Sequence, residues 1–281
     1  MISLEPNHQA GEIQQHDGFQ PPYLSPSGIK SYLSCPAKYY YERVMKIKLP
    51  TSAALFIGSC VHAALASLHR SQMRGEPMSK QAVLAEYGSV FQQKLEEDKP
   101  VLTVKQPREK ILELGTKMVD AFMDSKLASD DRPSLGVEIH MEEDIMDDAP
   151  PLQGILDLVK EDPGGEIVIT DLKTTATTPD LKLEAWLNEI QLVAYAVLMR
   201  HALGREANRA ELWFLVKTAK PKVLRYRMNE LTDVQFERFH SIYRRVVDGI
   251  AEGDFSPRPS FACRFCDFRE RCQQWKGGLP A

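Results

Sequence analysis

An α/β domain with a mixed central sheet flanked by helices is the fold the sequence predicts, and three observations point to it. Apolar residues recur at helical spacing through the first half of the 281-residue chain. After about residue 137 the period drops to two, and the element order becomes helices, three strands, a helix, two strands and a helix. At 43% hydrophobic and 26% charged, the chain suits one elaborated globular domain, expected over residues 21–281 behind a flexible polar arm of residues 1–20. No run of about 18 apolar residues occurs, and the start Met1-Ile2-Ser3-Leu4-Glu5-Pro6 lacks the layout of a signal peptide, so a cytoplasmic protein with no membrane span is expected.

Ser25 followed by Pro26 marks a helix start, with a side-chain cap and a proline where no N–H is needed. Cys35-Pro36 interrupts that helix, which resumes from Ala37 to about Val44. A strong helix is expected from about Ser52 to Arg70, carrying Gly58, Cys60 and His62. Two more follow at about 79–97 and 107–128, the latter amphipathic through Ile111, Leu114, Met118, Val119 and Phe122. Val137, Ile139 and Met141 alternate with Glu138, His140 and Glu142 as in a half-buried strand. Leu152–Val159 and Glu166–Lys173 are the next strands, turned by Pro163-Gly164-Gly165. Leu181–Leu203 reads as a helix, Glu211–Val216 and Val223–Met228 as strands, and about 230–252 as a last helix. There is no internal repeat and no low-complexity tract.

A formal net charge of −4 excludes a protein that coats nucleic acid through its overall charge, but not one with a local groove. Lys217, Lys220, Lys222, Arg225 and Arg227 share a stretch without acidic residues, and Arg264, Arg269 and Arg271 surround the last cysteines beside Phe265 and Phe268. Basic residues interleaved with aromatics suit phosphates and stacked bases; the plainer reading is a solvated edge strand and loop.

Chemistry-bearing residues gather where strands end. In an extended chain residues i and i+2 share a face, so Asp171 and Lys173 project together while Leu172 points to the core. Asp157, on the preceding strand, can meet Asp171 to form a hard oxygen site suited to Mg²⁺ or Mn²⁺. A lysine beside them can hold an attacking water or stabilise charge on a phosphate. Cys35 stands alone near the start, whereas Cys263, Cys266 and Cys272 form C-x2-C-x5-C at the far end. In a reducing compartment metal ligation is a better expectation than a disulfide, and thiolate spacing alone allows zinc or an iron-sulfur cluster. Cys60, on a core helix, is set apart as a small buried residue.

Gly154-Ile155-Leu156-Asp157, Ile167-Val168-Ile169-Thr170-Asp171-Leu172-Lys173-Thr174 and Gln191-Leu192-Val193-Ala194-Tyr195 together resemble the PD-(D/E)XK nuclease superfamily in its RecB-like branch. Leu24-Ser25-Pro26-Ser27 leading to Cys35-Pro36, with the terminal cysteines, resembles the iron-sulfur nucleases of that branch, the AddB nuclease domain and the CRISPR-associated RecB-like adaptation nucleases. The resemblance spans about residues 23–275 and implies a restriction-endonuclease-like sheet with a helical, iron-sulfur-bound cap. It implies that His62 in Gly58-Ser59-Cys60-Val61-His62 ligates metal with Asp157 and Asp171, and that Lys173 is catalytic. Gln191 and Tyr195 would orient Lys173 or the DNA, and Glu138 would hold the place of a glutamate often found in the preceding strand. Cys35, Cys263, Cys266 and Cys272 would ligate a 4Fe-4S cluster. Two positions depart from the family pattern: no proline precedes Asp157, and the second acid is Asp rather than Glu.

The function expected is metal-dependent hydrolysis of DNA, exonucleolytic on single strands, in repair, recombination or CRISPR adaptation beside a helicase or integrase. The alternatives are a catalytically weak or idle DNA-binding module in such an assembly, and a zinc-stapled regulatory binding protein.

Overall fold

The computed structural model describes residues 19–275, so all but Phe19 and Gln20 of the expected arm lie outside it. Ser25 caps helix α1 (Pro26–Ser34) by accepting from the Gly28 N–H at 3.2 Å. Extended backbone at Cys35 then breaks the helix, and α2 (Pro36–Tyr39) passes into one π-helical turn over Tyr40–Val44. Helices α3 (Ala53–Met73) and α4 (Lys80–Asp98) are capped by Ser52 and Ser79. Helix α5 (Arg108–Met123) stops short of the expected residue 128, because Ser125 Oγ donates to the Phe122 carbonyl at 2.6 Å and accepts from the Leu127 N–H. That local side-chain turn replaces the helical ladder.

Strands β1 (Ser134–Glu143), β2 (Leu152–Glu161), β3 (Ile167–Thr175), β4 (Arg209–Val216) and β5 (Lys222–Arg227) form one sheet in sequence order. Only β3 and β4 pair in parallel, joined through the crossover helix α6 (Leu181–Leu203); the other neighbours are antiparallel. The sheet is therefore mixed, as expected. Helices α3, α4 and α5 cover one face around Phe56, Phe91, Phe122 and Trp213. Helix α6, α7 (Asp233–Ala251) and α1 cover the other around Leu192, Leu198, Phe214 and Tyr243. β4 is buried on both faces from Ala210 to Val216, which is why Leu-Trp-Phe-Leu-Val runs apolar without alternation. A 3₁₀ turn at Phe261–Phe265 and the short α8 (Arg269–Gln273) close the described chain.

One strand pair departs from simple alternation. Val137 pairs with Leu158 and packs under α3–α5, yet Ile139 pairs with Leu156 and packs under α6. Two residues apart, these side chains should share a face. The exchange happens at Glu138, whose φ of +48° is a left-handed conformation that non-glycine residues seldom adopt in a strand. Opposite it stands Asp157, the point at which β2 passes from burial on alternate residues to burial on both faces. The kink thus sits opposite one of the acids that the sequence singled out, Asp157.

Candidate active site

Lys173 is the first residue of β3 that is not buried, and it projects with Asp171 from the same face of the strand. Its Nζ lies 2.6 Å from Asp171 Oδ2 and donates to Gln191 Oε1 at 2.9 Å. Gln191 Nε2 in turn donates to Asp171 Oδ1 and to the Tyr195 hydroxyl oxygen, both at 2.8 Å. One amide therefore ties the lysine, the aspartate and the tyrosine, and the spacing of Gln191 and Tyr195 by one helical turn makes this possible. Gly154 lets α6 lie this close: a Cβ there would stand 2.8 Å from Leu198 and 3.0 Å from Tyr195.

Asp157 faces the network from β2. Its Oδ2 accepts from the Leu172 N–H at 2.8 Å, just beyond the last paired residues of β2 and β3, so a side chain takes over from the backbone ladder. Its Oδ1 lies 3.6 Å from His62 Nδ1. His62 reaches this point because Gly58, one turn earlier on α3, allows close approach to β3; a Cβ there would stand 2.8 Å from Thr174 Oγ1.

The two carboxyls are held in opposite directions. Burial opposes ionisation of Asp157, but the hydrogen bond and charge of His62 outweigh it and hold the carboxyl below the usual range. Asp171 is 2% exposed, and burial pushes its carboxyl above the usual range despite Lys173. His62 is raised: burial opposes its protonation, and Asp157 overcomes that. Asp171 Oδ2 accepts no hydrogen bond of normal geometry, so one buried anionic oxygen is met only by the ion contact with Lys173. Such an oxygen fits a further cation. Among the described residues, no three His, Cys, Asp or Glu side chains are gathered tightly enough to form a ready metal-binding group.

Glu138 lines the same cavity as His62 and Lys173, but its carboxylate is engaged by Arg70. Lys217 also lines that cavity, its Nζ donating to the Ala54 carbonyl at 3.3 Å. Lys220 and Lys222 are exposed at the same end of the sheet. Arg225 and Arg227 are not brought there: further along β5, Arg225 lies 3.9 Å from Asp130 and Arg227 donates to Glu211 at 3.0 Å.

Cys35, Cys263, Cys266 and Cys272 all line one cavity of about 390 Å³ together with Arg269, although their thiols are not in ligand geometry. Cys35 Sγ accepts from the Arg258 N–H and Cys263 Sγ from the Ser260 N–H. Arg264 and Phe265 stand exposed, but Phe268 is buried and stacked on Tyr41 at 5.1 Å, so it is not available to bases as the sequence suggested. Cys60 is fully buried, where burial pushes its thiol up to about 11.

One residue at the site escaped the sequence reading. Lys30 on α1 shares a cavity with Gln191 and Tyr195, and its Nζ donates to Asn188 Oδ1 at 3.3 Å. The signal was faint, since α1 precedes β2 and β3 by more than a hundred residues.

Three comparisons bear on this arrangement. No curated protein sequence matches the chain. A solved structure described as a "Putative exonuclease" from Eubacterium rectale superposes with a TM-score of 0.59 over 99% of this chain and 94% of its own, at 16% identity, a likeness of fold alone. Another solved chain, 17% identical, covers 85% of this chain and 94% of its own at a TM-score of 0.37, too low to add weight. The model of the PD-(D/E)XK nuclease superfamily matches residues 23–273, which takes in every strand, the Asp157–Asp171–Lys173 centre and all four cap cysteines, and the chain belongs to that superfamily.

Proposed function

We propose that this nuclease cleaves DNA phosphodiesters with a divalent ion, Mg²⁺ or Mn²⁺, and acts as an exonuclease on single strands. The observation that carries the reading is the buried Asp171–Lys173–Gln191 network with an incompletely satisfied carboxylate oxygen, set beside Asp157 and His62. Asp157, Asp171 and His62 would hold the ion, which supplies positive charge at the scissile phosphate and lowers the pKa of a water. Lys173 addresses the attacking water or a non-bridging phosphate oxygen, and Gln191 keeps its ammonium pointed there. Tyr195, 6% exposed, fixes the amide of Gln191 rather than touching substrate. Hydrolysis joins the water oxygen to phosphorus and breaks the ester bond to the departing sugar oxygen.

The four cap cysteines, in this reading, ligate a 4Fe-4S cluster that staples the two ends of the domain, consistent with the RecB-like branch and with work beside a helicase or integrase partner. Four thiols lining one cavity, two of them already accepting backbone N–H bonds, support it. Anaerobically purified protein should be brown with about four irons per chain; colourless, zinc-loaded protein from an iron-replete preparation would refute the cluster.

Cleavage of end-labelled single- and double-stranded DNA with and without Mn²⁺ tests the active site. Lys173→Ala should fold and bind DNA normally yet cleave about a hundredfold more slowly or worse. Wild-type rates in that variant would show the site to be misassigned.

A further inference from the structure

The Lys173–Gln191 hydrogen bond links the linings of two cavities. On the α3 side a cavity of about 530 Å³ is lined by Lys94, Lys173 and Lys217 against one acid, Glu138. On the α1 side a cavity of about 620 Å³ is lined by Lys30, Lys38 and Arg43 against one acid, Glu42, with Gln191 at its inner wall. In a chain of net charge −4, both sides of the reaction centre are thus locally cationic.

Lys30 is built into its cavity rather than trailing from the surface. Its amine is held by Asn188, which is 6% exposed and is itself fixed by donating to the Glu184 carbonyl at 2.8 Å. Among the described residues Lys30 makes no salt bridge. Lys38 is partly neutralised by Glu42 at 3.6 Å, and Arg43 rests on Ser27 at 3.2 Å. Half-buried, positioned by a buried amide and left without a carboxylate at contact, Lys30 has the charge to spare for a phosphate. The corner that carries it is fastened at Cys35, where Arg258 donates to the sulfur and to the Leu33 carbonyl.

We propose that Lys30 is a positioning residue for the substrate strand: with Lys38 and Arg43 it takes a backbone phosphate on the α1 side of the cut, while Lys94 and Lys217 take one on the α3 side, so the strand is held across the reacting phosphate. The proposal rests on the nuclease reading for the direction of the strand but not for its binding. A productive substrate then extends beyond the cut on both sides, and an apolar rim at Tyr23 and Ile155 accommodates its bases.

The test uses full-length Lys30→Met, Lys30→Arg and Lys94→Met. It reads binding of a fluorescent oligothymidylate in EDTA at several salt concentrations, and steady-state cleavage with Mn²⁺. Lys30→Met should flatten the log–log salt dependence by about one unit, raise KM about tenfold and leave kcat within about threefold, and Lys30→Arg should restore both. Lys94→Met should flatten the slope by a similar amount. An unchanged slope and KM in folded Lys30→Met overturns the proposal, as does a loss equally severe in Lys30→Arg, which would make the role one of packing. If Lys30→Met fails to fold, Lys38→Met with Arg43→Met replaces it under the same criteria. Wild-type protein that binds DNA without cutting would defeat the nuclease reading while the salt slopes still decide this one; wild-type protein that binds no DNA defeats the proposal.

Discussion

At one end of the sheet Arg132 gathers Asp130, Asp162 and Glu211; at the other Lys173 gathers Asp171 and Gln191, and the two clusters of buried charge differ in completeness. Arg132 donates to Asp130 at 2.6 Å, to Glu211 at 2.9 Å and to Asp162 at 3.0 Å. Glu211 also accepts from Trp213 and Arg227, and the buried Lys160 ammonium donates to the Asp130 and Arg132 carbonyls. Every charge in that group has its partners. At the Lys173 end one oxygen of the buried Asp171 carboxylate accepts no hydrogen bond of normal geometry. The larger cavity, about 810 Å³, lies beside the closed network, so neither size nor buried charge singles out the Lys173 end. The unsatisfied carboxylate oxygen does.

The strongest way to break this contrast is to open the closed network. Arg132→Met leaves Glu211 and Asp130 buried without their cation, which costs about 3–5 kcal/mol by the usual measure of a severed buried pair. Urea denaturation should show that loss, while the folded fraction keeps wild-type kcat. A stable but inactive Arg132→Met would mean that this end, too, is functional.

Opening the Lys173 end should have the opposite sign. Because burial raises the Asp171 carboxyl in the fold, its ionised form at neutral pH subtracts from stability, and in the metal-free protein this penalty is relieved as pH falls through the raised folded pKa toward the ordinary value of 3.8. Asp171→Asn should therefore hold or raise stability by about 1 kcal/mol, as trade-offs at strained sites commonly do. Calorimetric Mn²⁺ binding should weaken, and cleavage should fall about a hundredfold or more. A variant that loses stability as Arg132→Met does would erase the distinction between the two ends.

Acid provides a subtler probe of the closed side. His69, 2% exposed between Phe122 and Trp213, is held neutral by burial, which lowers its pKa to about 4. The unfolded chain, with the ordinary value of 6.5, binds the proton first, so stability is full above that value and lost as pH falls from 6.5 toward 4. The limiting slope is about 1.4 kcal/mol per pH unit, and His69→Leu should remove it from the acid limb of a melting-temperature profile.

Sequence patterning carried the mixed sheet, the order of its strands and the shared face of Asp171 and Lys173, because strand periodicity and the Asp-x-Lys spacing are local properties. It missed what depends on distant strands meeting. The exchange of faces at Glu138 has no local mark, since Val137, Ile139 and Met141 alternate perfectly in sequence. Lys30 reaches the site only through α1 packing on α6, a contact that no spacing reveals. Phe268 reads like a stacking residue from its basic neighbours, but Tyr41 has already claimed its ring.

The run of cations after β4 is divided by the same contrast. Lys217 and Lys222 lie at the Lys173 end of the sheet, with Lys220 in the turn between them, while Arg225 reaches toward Asp130 in the closed network. Strand geometry explains the division, for residues 222 to 227 advance about 3.3 Å each along β5 and so travel from one end to the other. Joint replacement of Lys217, Lys220 and Lys222 by Ala should flatten the salt dependence of DNA binding by roughly one unit for each phosphate that is no longer neutralised. Arg225→Ala should leave that slope alone and instead lower stability by less than about 1 kcal/mol, since Arg225 is one third exposed and its partner stays bound to Arg132. Measuring both quantities on both variants places the boundary between the two ends: a slope that responds to Arg225 would carry the DNA path across the sheet to the closed network, and a slope indifferent to all three lysines would move the path to Arg264, Arg269 and Arg271 on the cysteine cap.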